Sequence, residues 1–347
     1  MINFRKASFL SLLFLSHICL SQDKFQVALV GFYNLENLYD TINQDYVDDQ
    51  EFTPDGTRRY TGAIYWDKLS KLSRVLSDMG TDHSIDGPAI LGVAEIENRS
   101  VLRDLCRQEG LKSRNYQIVH YDSKDARGVD VGLLYNPKYF KVLKSEKIFV
   151  DLSEFGDGKT RDILYVKGLF LGEELHIMVG HWPSRRGGEE ASMARRCKAA
   201  QVMRQKSDTV FSENPNANII VMGDLNDDPV SPSLTDCLKA LGTKEEAKEG
   251  VFFNPFMDYF NKGIGTLAYN DAWNLFDQIV ISPGLIEPNS NLKYNGGFIF
   301  SRKYMVSQDG PYRGYPFRTY SGDIYSGGYS DHFPTYLVFK KKLVSAP

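Results

Sequence analysis

The residues best suited to chemistry in this 347-residue chain stand at or beside the ends of short apolar runs. The clearest run is Ile219-Ile220-Val221-Met222, which reads as a strand buried on both faces. Gly223 after it lets the backbone approach a neighbour closely, and Asp224 and Asn226 then stand two apart. In extended geometry both point to one side, so a carboxylate and an amide are presented together at the carboxyl edge of a sheet. Pro229 forbids further ladder pairing, which places Asp224 to Asp228 at the mouth of a cleft. Alone, a Gly-Asp-x-Asn is more often an ordinary turn after a strand. Repetition changes that balance. Phe25 to Phe32 leads into Asn34 and Glu36, Ala89 to Ala94 into Glu95, and Leu175 to Gly180 into His181, followed by Arg185 and Arg186. Asp277 precedes its strand, Asp277 to Ser282, and Asp331-His332 comes just before the last strand, Thr335 to Phe339.

The elements that must position these groups alternate between strand and helix. Leu69, Leu72, Val75, Leu76 and Met79 fall at helical spacing within Tyr65 to Met79, and Gly80 stops that helix. Further helices are expected over Val101 to Glu109, Ala191 to Phe211 and Ser231 to Leu241. Arg195, Arg196, Lys198, Arg204 and Lys206 read mostly as a solvated face of the third helix. Strands are expected at Tyr116 to His120 and Val129 to Tyr135, flanking a loop with Asp122 and Arg127, and again at Lys138 to Val150 and Ile163 to Leu171. Asp40 to Tyr60 and the Gly-, Tyr- and Arg-rich stretch 295–329 read as surface loops. With no short repeat and no low-complexity linker, residues 22–347 are expected to form one α/β domain.

Residues 1–21 differ in kind. Arg5 and Lys6 precede an apolar run from Phe9 to Leu20, and small residues at Cys19 and Ser21 suit cleavage before Gln22. A secretory signal peptide and a secreted or periplasmic protein are expected. The run is too short and too interrupted for a membrane span, which needs about 20 apolar residues. Lipid anchoring at Cys19 is the alternative, disfavoured by Ile18 before it. Removing Arg5 and Lys6, two cations fewer, moves the formal charge from -3 to -5, unlike a tight nonspecific nucleic-acid binder yet compatible with a nuclease that must release product. Cys106, Cys197 and Cys237 allow at most one disulfide, with the pairing open, and none has metal-site spacing.

Taken together, Tyr33-Asn34-Leu35-Glu36, Ala94-Glu95, Gly180-His181, Gly223-Asp224-Leu225-Asn226, Phe276-Asp277-Gln278 and Ser330-Asp331-His332 resemble, in order, the marks of the endonuclease/exonuclease/phosphatase superfamily, which includes deoxyribonuclease I. The resemblance implies a four-layer α/β sandwich, two mixed β-sheets face to face with helices outside. It implies Mg²⁺, with Mn²⁺ or Ca²⁺ as alternatives, held by Glu95 with Asn34, Glu36 and Asp331 nearby, an oxygen set better suited to a hard cation than to zinc. It makes Asp277 the partner of His332, and Asp224 and His332 the groups that orient or deprotonate the attacking water. Asn34, Asn226 and His181 would bind phosphate oxygens, with His181 also the acid for the leaving oxygen and Asp122 its supporting carboxylate. Which group is base and which acid stays open. Glu36 departs from the Asp of some relatives, and Cys197 and Cys237 reproduce no evident family disulfide.

The leading expectation is a monomeric, secreted, Mg²⁺-dependent phosphodiesterase acting on DNA or RNA, with Arg127, Arg185 and Arg186 holding flanking phosphates. A phosphatase or phosphodiesterase on a phospholipid head group, inositol phosphate or nucleotide is the alternative, motivated by the acidic charge and the aromatic loop from Phe298 to Tyr329. A noncatalytic binding protein on the same fold comes third, since every expected polar strand end is present.

Overall fold

Alternation along the first strand shows how the layers arise. The computed structural model describes residues 24–156 and 158–343; the expected signal segment, its cleavage point and Cys19 lie outside them. In β1 (Phe25–Leu38), Ala28, Val30 and Phe32 face a core between two sheets, whereas Leu29 and Tyr33 face a second core beneath helices α1 (Gly62–Asp78) and α2 (Arg99–Cys106). Period-two alternation with both faces apolar is what a strand sandwiched on both sides requires. The stripe Leu69, Leu72, Val75 and Leu76 is fully buried on the inner face of α1, and Asn98 caps α2 by accepting from the amides of Ser100 and Val101.

The chain continues as β2 (Pro88–Ile96), β3 (Gln117–His120), β4 (Asp130–Tyr135), β5 (Phe140–Ile148), β6 (Ile163–Phe170), β7 (Glu173–His181), α3 (Glu189–Glu213) and β8 (Ile219–Asp224). Next come β9 (Ala240–Leu241), β10 (Phe252–Phe253), α4 (Met257–Asn261), β11 (Leu267–Tyr269), β12 (Ala272–Asn274) and β13 (Asp277–Ile281). The chain closes with β14 (Leu292–Ile299), β15 (Tyr320–Ser321), β16 (Ile324–Tyr325) and β17 (Thr335–Lys342). A six-stranded mixed sheet has the order β14-β17-β1-β2-β4-β3, and a seven-stranded one β5-β6-β7-β8-β13-β10-β9. Ile220 and Met222 of β8 enter the core between the sheets, while Ile219 and Val221 pack under α3. Helices, sheet, sheet and helix make the expected four-layer sandwich.

Several local expectations are corrected. The helix expected over Ser231 to Leu241 shrinks to a wide turn at Ser233–Leu238 before β9. The 295–329 stretch is no mere surface loop: Phe300, Met305, Tyr320 and Tyr329 are buried against the core beneath α1. Arg196 does not belong to a solvated face; it is fully buried, with Nε 2.7 Å from Asp227 Oδ2. Cys197 and Cys237 form a disulfide with Cα atoms 5.6 Å apart, tying α3 to the wide turn, and Cys106 is free. No helix among the described residues is long and apolar enough to cross a membrane.

Candidate active site

Strand direction explains why some polar residues follow their strands and others precede them. Parallel pairing of β7 with β8 sets His181 beside Asp224, and antiparallel pairing of β8 with β13 sets Asp277 beside Asp224 from the other side. The start of β13 is therefore at the same sheet edge as the end of β8. Gly223 serves this closeness, because a Cβ there would lie 2.0 Å from the carbonyl oxygen of Gly180. On the facing sheet, β1 and β2 run parallel with Asn34 opposite Ala94, and the ladder then breaks. Glu36, Asn37 and Glu95 take left-handed backbone conformations with φ of 49°, 52° and 58°, and Asn226 does the same at 49°. Such positions cost energy for non-glycine residues and are held by surrounding contacts. The simple extended alternation that would send Asn34 with Glu36, or Asp224 with Asn226, to one side is thus corrected: both pairs straddle a reversal of backbone twist.

The two sheets meet through side chains. Asn34 Nδ2 donates to Asp224 Oδ2 at 3.0 Å, and the Asn37 amide donates to Glu95 Oε2 at 2.9 Å. His332 Nδ1 donates to Asp277 Oδ2 at 2.7 Å, which fixes the ring and points Nε2 toward Asp224 Oδ2 and Asp331 Oδ1, each 3.9 Å away. His181 Nε2 lies 3.6 Å from Asp224 Oδ2 and 3.9 Å from Glu95 Oε1. Arg127 Nη2 reaches the same Glu95 oxygen at 3.9 Å. Asn226 gives its side-chain amide to the Trp182 carbonyl at 2.9 Å and its backbone N–H to Asp224 Oδ1 at 3.1 Å.

The charges are poised differently from one another. Burial lifts Asp224 to about 6, helped by the carboxylates of Asp277 and Glu95 and opposed by His332 and the Asn34 amide. Burial alone would lower His332, but Asp277, Asp224 and Asp331 outweigh it and hold the imidazole well above its usual range. Burial depresses His181 well below that range, reinforced by Arg161, Arg127 and His332. The surroundings thus favour the protonated form of His332 and the neutral form of His181, and they raise the proton affinity of Asp224. Glu36 rises to about 7 through burial and the Asp331 charge, against Lys68 and the Thr319 hydrogen bonds.

The donor set fits a hard divalent cation. Among the described residues Glu95 Oε1 has the distant contacts to His181 and Arg127 given above, and the charge of Asp331 acts on Glu36. Glu95 and Asp331, with Asn34 and Glu36, would hold the ion, which supplies charge neutralisation for phosphate oxygens and a water of lowered pKa. Asp224, Asp277 and His332 also approach closely enough to share an ion. Within that trio, His332 Nδ1 is already committed to Asp277 Oδ2 at 2.7 Å.

A sequence profile of the Endonuclease/Exonuclease/phosphatase family matches residues 29–341. The chain belongs to that family. Its members are divalent-metal-dependent phosphoesterases, so the fold and the polar strand ends have one common reading. Among solved structures, the chain is similar to a humanised D. rerio TDP2, at 17% identity over 90% of this chain and 98% of that one, with a TM-score of 0.54. It is similar to an endonuclease/exonuclease/phosphatase family protein from Bacteroides thetaiotaomicron, at 15% identity over 92% and 100% with a TM-score of 0.55. A mannosyl-6-phosphatase from B. thetaiotaomicron VPI-5482 aligns at 16% identity over 90% and 99%, also with a TM-score of 0.55. No curated protein matches the chain.

Within this family member the expected residues separate into two groups. Asn34, Glu95, His181, Asp224, Asn226, Asp277 and His332 converge on one wall, with Glu36 and Asp331 beside it. Arg127 and Arg186 line the cavity of about 480 Å³ in front of that wall. Arg185 does not serve phosphate: its guanidinium binds Asp227, Asp228 and Glu189. Asp122 does not support His181; it lies 3.9 Å from His120 Nδ1, and His181 Nδ1 is buried with no hydrogen-bond partner among the described residues. Two contributors carried no sequence signal. Arg161 is buried, pairs with Asp125 at 3.0 Å and donates to the carbonyls of His181 and Trp182, fixing that turn. Lys68 reaches from α1 to the Glu36 carbonyl at 2.5 Å and Thr319 Oγ1 at 2.6 Å, while the Thr319 amide donates to Glu36 Oε2 at 2.7 Å. Nothing in a helical pattern distinguishes Lys68 from a solvated lysine.

The cavity does not end at this wall. It shares Ser184 and Arg186 with a second cavity of about 830 Å³ that contains Asp331, Phe276 and Arg318. Arg318 in turn borders a third, of about 430 Å³, under Tyr304 and Tyr312.

Proposed function

We propose that this protein is a divalent-metal-dependent phosphodiesterase that cleaves nucleic-acid strands, DNA or RNA. The observation that carries the reading is a pair of adjoining cavities that share Ser184 and Arg186, one lined by Asp224, His332 and Arg127, the other by Asp331 and Arg318. A polymer entering one side and leaving the other suits that shape, and guanidinium groups suit its phosphates. Asp224 takes the proton of the water that attacks phosphorus while the P–O bond to the leaving strand breaks, and the leaving oxygen takes up a proton from solvent to become the strand's hydroxyl. His332 Nε2 and His181 Nε2 are offered to the phosphoryl oxygens. A structure of D. rerio TDP2, similar in fold at a TM-score of 0.52, is described as complexed with a single-strand DNA product, which agrees with the reading without carrying it.

The test incubates purified protein with plasmid and RNA in Mg²⁺, alongside Glu95→Gln and His332→Ala. Cleavage by wild type alone is expected; equal inertness of all three toward both substrates would remove the nuclease reading. A second reading keeps the chemistry on a small phosphate ester such as a phospholipid head group, inositol phosphate or nucleotide. What favours it is the charge of -5 after loss of Arg5 and Lys6. Phosphate release from one such compound, with nucleic acid untouched, would select it.

We also infer export, with cleavage before Gln22 and action as a monomer. The Cys197–Cys237 disulfide supports this, because such bonds persist in oxidising compartments. Amino-terminal sequencing of protein recovered outside the cytoplasm should begin at Gln22.

A further inference from the structure

The hairpin of β11 and β12 stands beside the catalytic wall and takes no part in the chemistry described above. Its tip, Asn270-Asp271, has two consecutive left-handed residues, φ 49° and 60°, the arrangement of a tight two-residue turn. The hairpin is firmly seated. Asp271 accepts from the Tyr315 hydroxyl at 2.5 Å and returns its amide to the same oxygen at 2.8 Å. Trp273 stacks on Phe333, with ring centroids 6.1 Å apart and planes 16° from parallel. The Phe333 amide donates to the Thr266 carbonyl at 2.7 Å, so the hairpin is joined to the residue that follows His332.

On this support one aromatic ring is left over. Tyr269 is 71% exposed, makes no ring contact among the described residues, and lines the cavity of about 830 Å³. Around that cavity stand the Phe276 ring with the Arg185 guanidinium 4.6 Å above its centroid, the amides of Asn270 and Asn274, and the cations Arg186 and Arg318. Asp331, next to His332, is on the same lining. A flat ring for stacking, amides for hydrogen-bonding an edge and guanidinium groups for phosphate are together the complement of a nucleotide.

We propose that this cavity is a nucleobase subsite, in which Tyr269 stacks on a base of the strand adjoining the phosphate under attack. This rests on the nucleic-acid reading and deepens it. The test is a cycle between protein and ligand. Anisotropy in Ca²⁺ compares a labelled eight-residue oligothymidylate with the same backbone stripped of every base, for wild type, Tyr269→Ala and Tyr269→Phe. Tyr269→Ala should weaken binding of the oligothymidylate about 10-fold, within the range of base–aromatic stacking, and should cost nothing further on the baseless strand. Tyr269→Phe should restore most of the loss. Equal effects of Tyr269→Ala on both strands, no effect on either, or no binding of the oligothymidylate at all would overturn the subsite. A strand bound with the expected coupling yet never cut in Mg²⁺ would sink the nuclease reading and leave the subsite standing; a strand cut without coupling would do the reverse.

Discussion

Two acidic sites lie within five residues of one another at the end of β8, and they are built on opposite plans. Asp224 is held by amides, from Asn34 and Asn226, and shares its surroundings with Glu95 and Asp277; His332 Nε2 is 3.9 Å away. Asp227 is matched by fixed cations instead: Arg196 at 2.7 Å and Arg185 at 3.1 Å, with Ser233 Oγ at 2.6 Å. Asp228 takes Arg185 on one oxygen at 3.0 Å and the Leu275 amide on the other at 2.8 Å. The carboxylates are alike; their neutralisation is not. A buried acid cluster left short of fixed positive charge has room for a mobile cation and an incoming phosphate, whereas one saturated by arginine holds elements together.

That contrast can be broken from either side. The largest effect is expected from Asp224→Asn, which should cut Mg²⁺-dependent hydrolysis about 10²- to 10⁴-fold while leaving the melting temperature equal or higher, as initial rates and thermal melts would show. Arg196→Met should do the opposite. By leaving Asp227 buried without its main partner it should cost about 3–5 kcal/mol in urea unfolding, with activity of the protein still folded changed little. Cys197→Ser opens the link across a sequence separation of 40 and should cost about 2–4 kcal/mol by the same measurement. Lys68→Met tests the underside of the active wall: about 1–3 kcal/mol of stability, together with a higher Mg²⁺ concentration for half-maximal rate, since Glu36 and Thr319 lose their tie.

The smallest effect concerns pH and a site far from the wall. His176 is buried in β7, bonded to the Tyr165 hydroxyl at 2.7 Å, and burial lowers its pKa below the ordinary imidazole value of 6.5 despite Glu174. The unfolded chain therefore binds a proton there more readily than the folded one. Its contribution is intact above about pH 6.5 and is lost as pH falls toward the folded value. Denaturant midpoints should decline on acidification through that window, and His176→Gln should flatten the decline; an unchanged slope would dismiss His176 as a source of it.

How much of this was legible in the primary structure depended on range. Runs such as Ile219 to Met222 and Ala89 to Ala94 announce buried strands by composition alone, and the polar residues at their ends stand out against them. Arg185 and Arg186 are neighbours of identical type, yet one is consumed by Asp227 and Asp228 and the other lines the cavity. Arg196 read as a surface charge, and Lys68 and Arg161 gave no signal, because their partners are 31, 251 and 36 positions away or are backbone carbonyls. The 295–329 stretch looked like a loop because its buried aromatics follow no strand or helix period.

Local sequence by itself determined the layered α/β architecture, the polar strand ends and their order, because alternation, helical stripes and breaking residues act over a few positions. Only the tertiary structure decided that Asp277 and Asp224 are partners across an antiparallel ladder, that left-handed bulges at Glu36 and Glu95 turn those acids, and which carboxylates remain short of cations. The physical reason is that charge balance at a point in space sums over every segment packed there, and no window along the chain contains that sum.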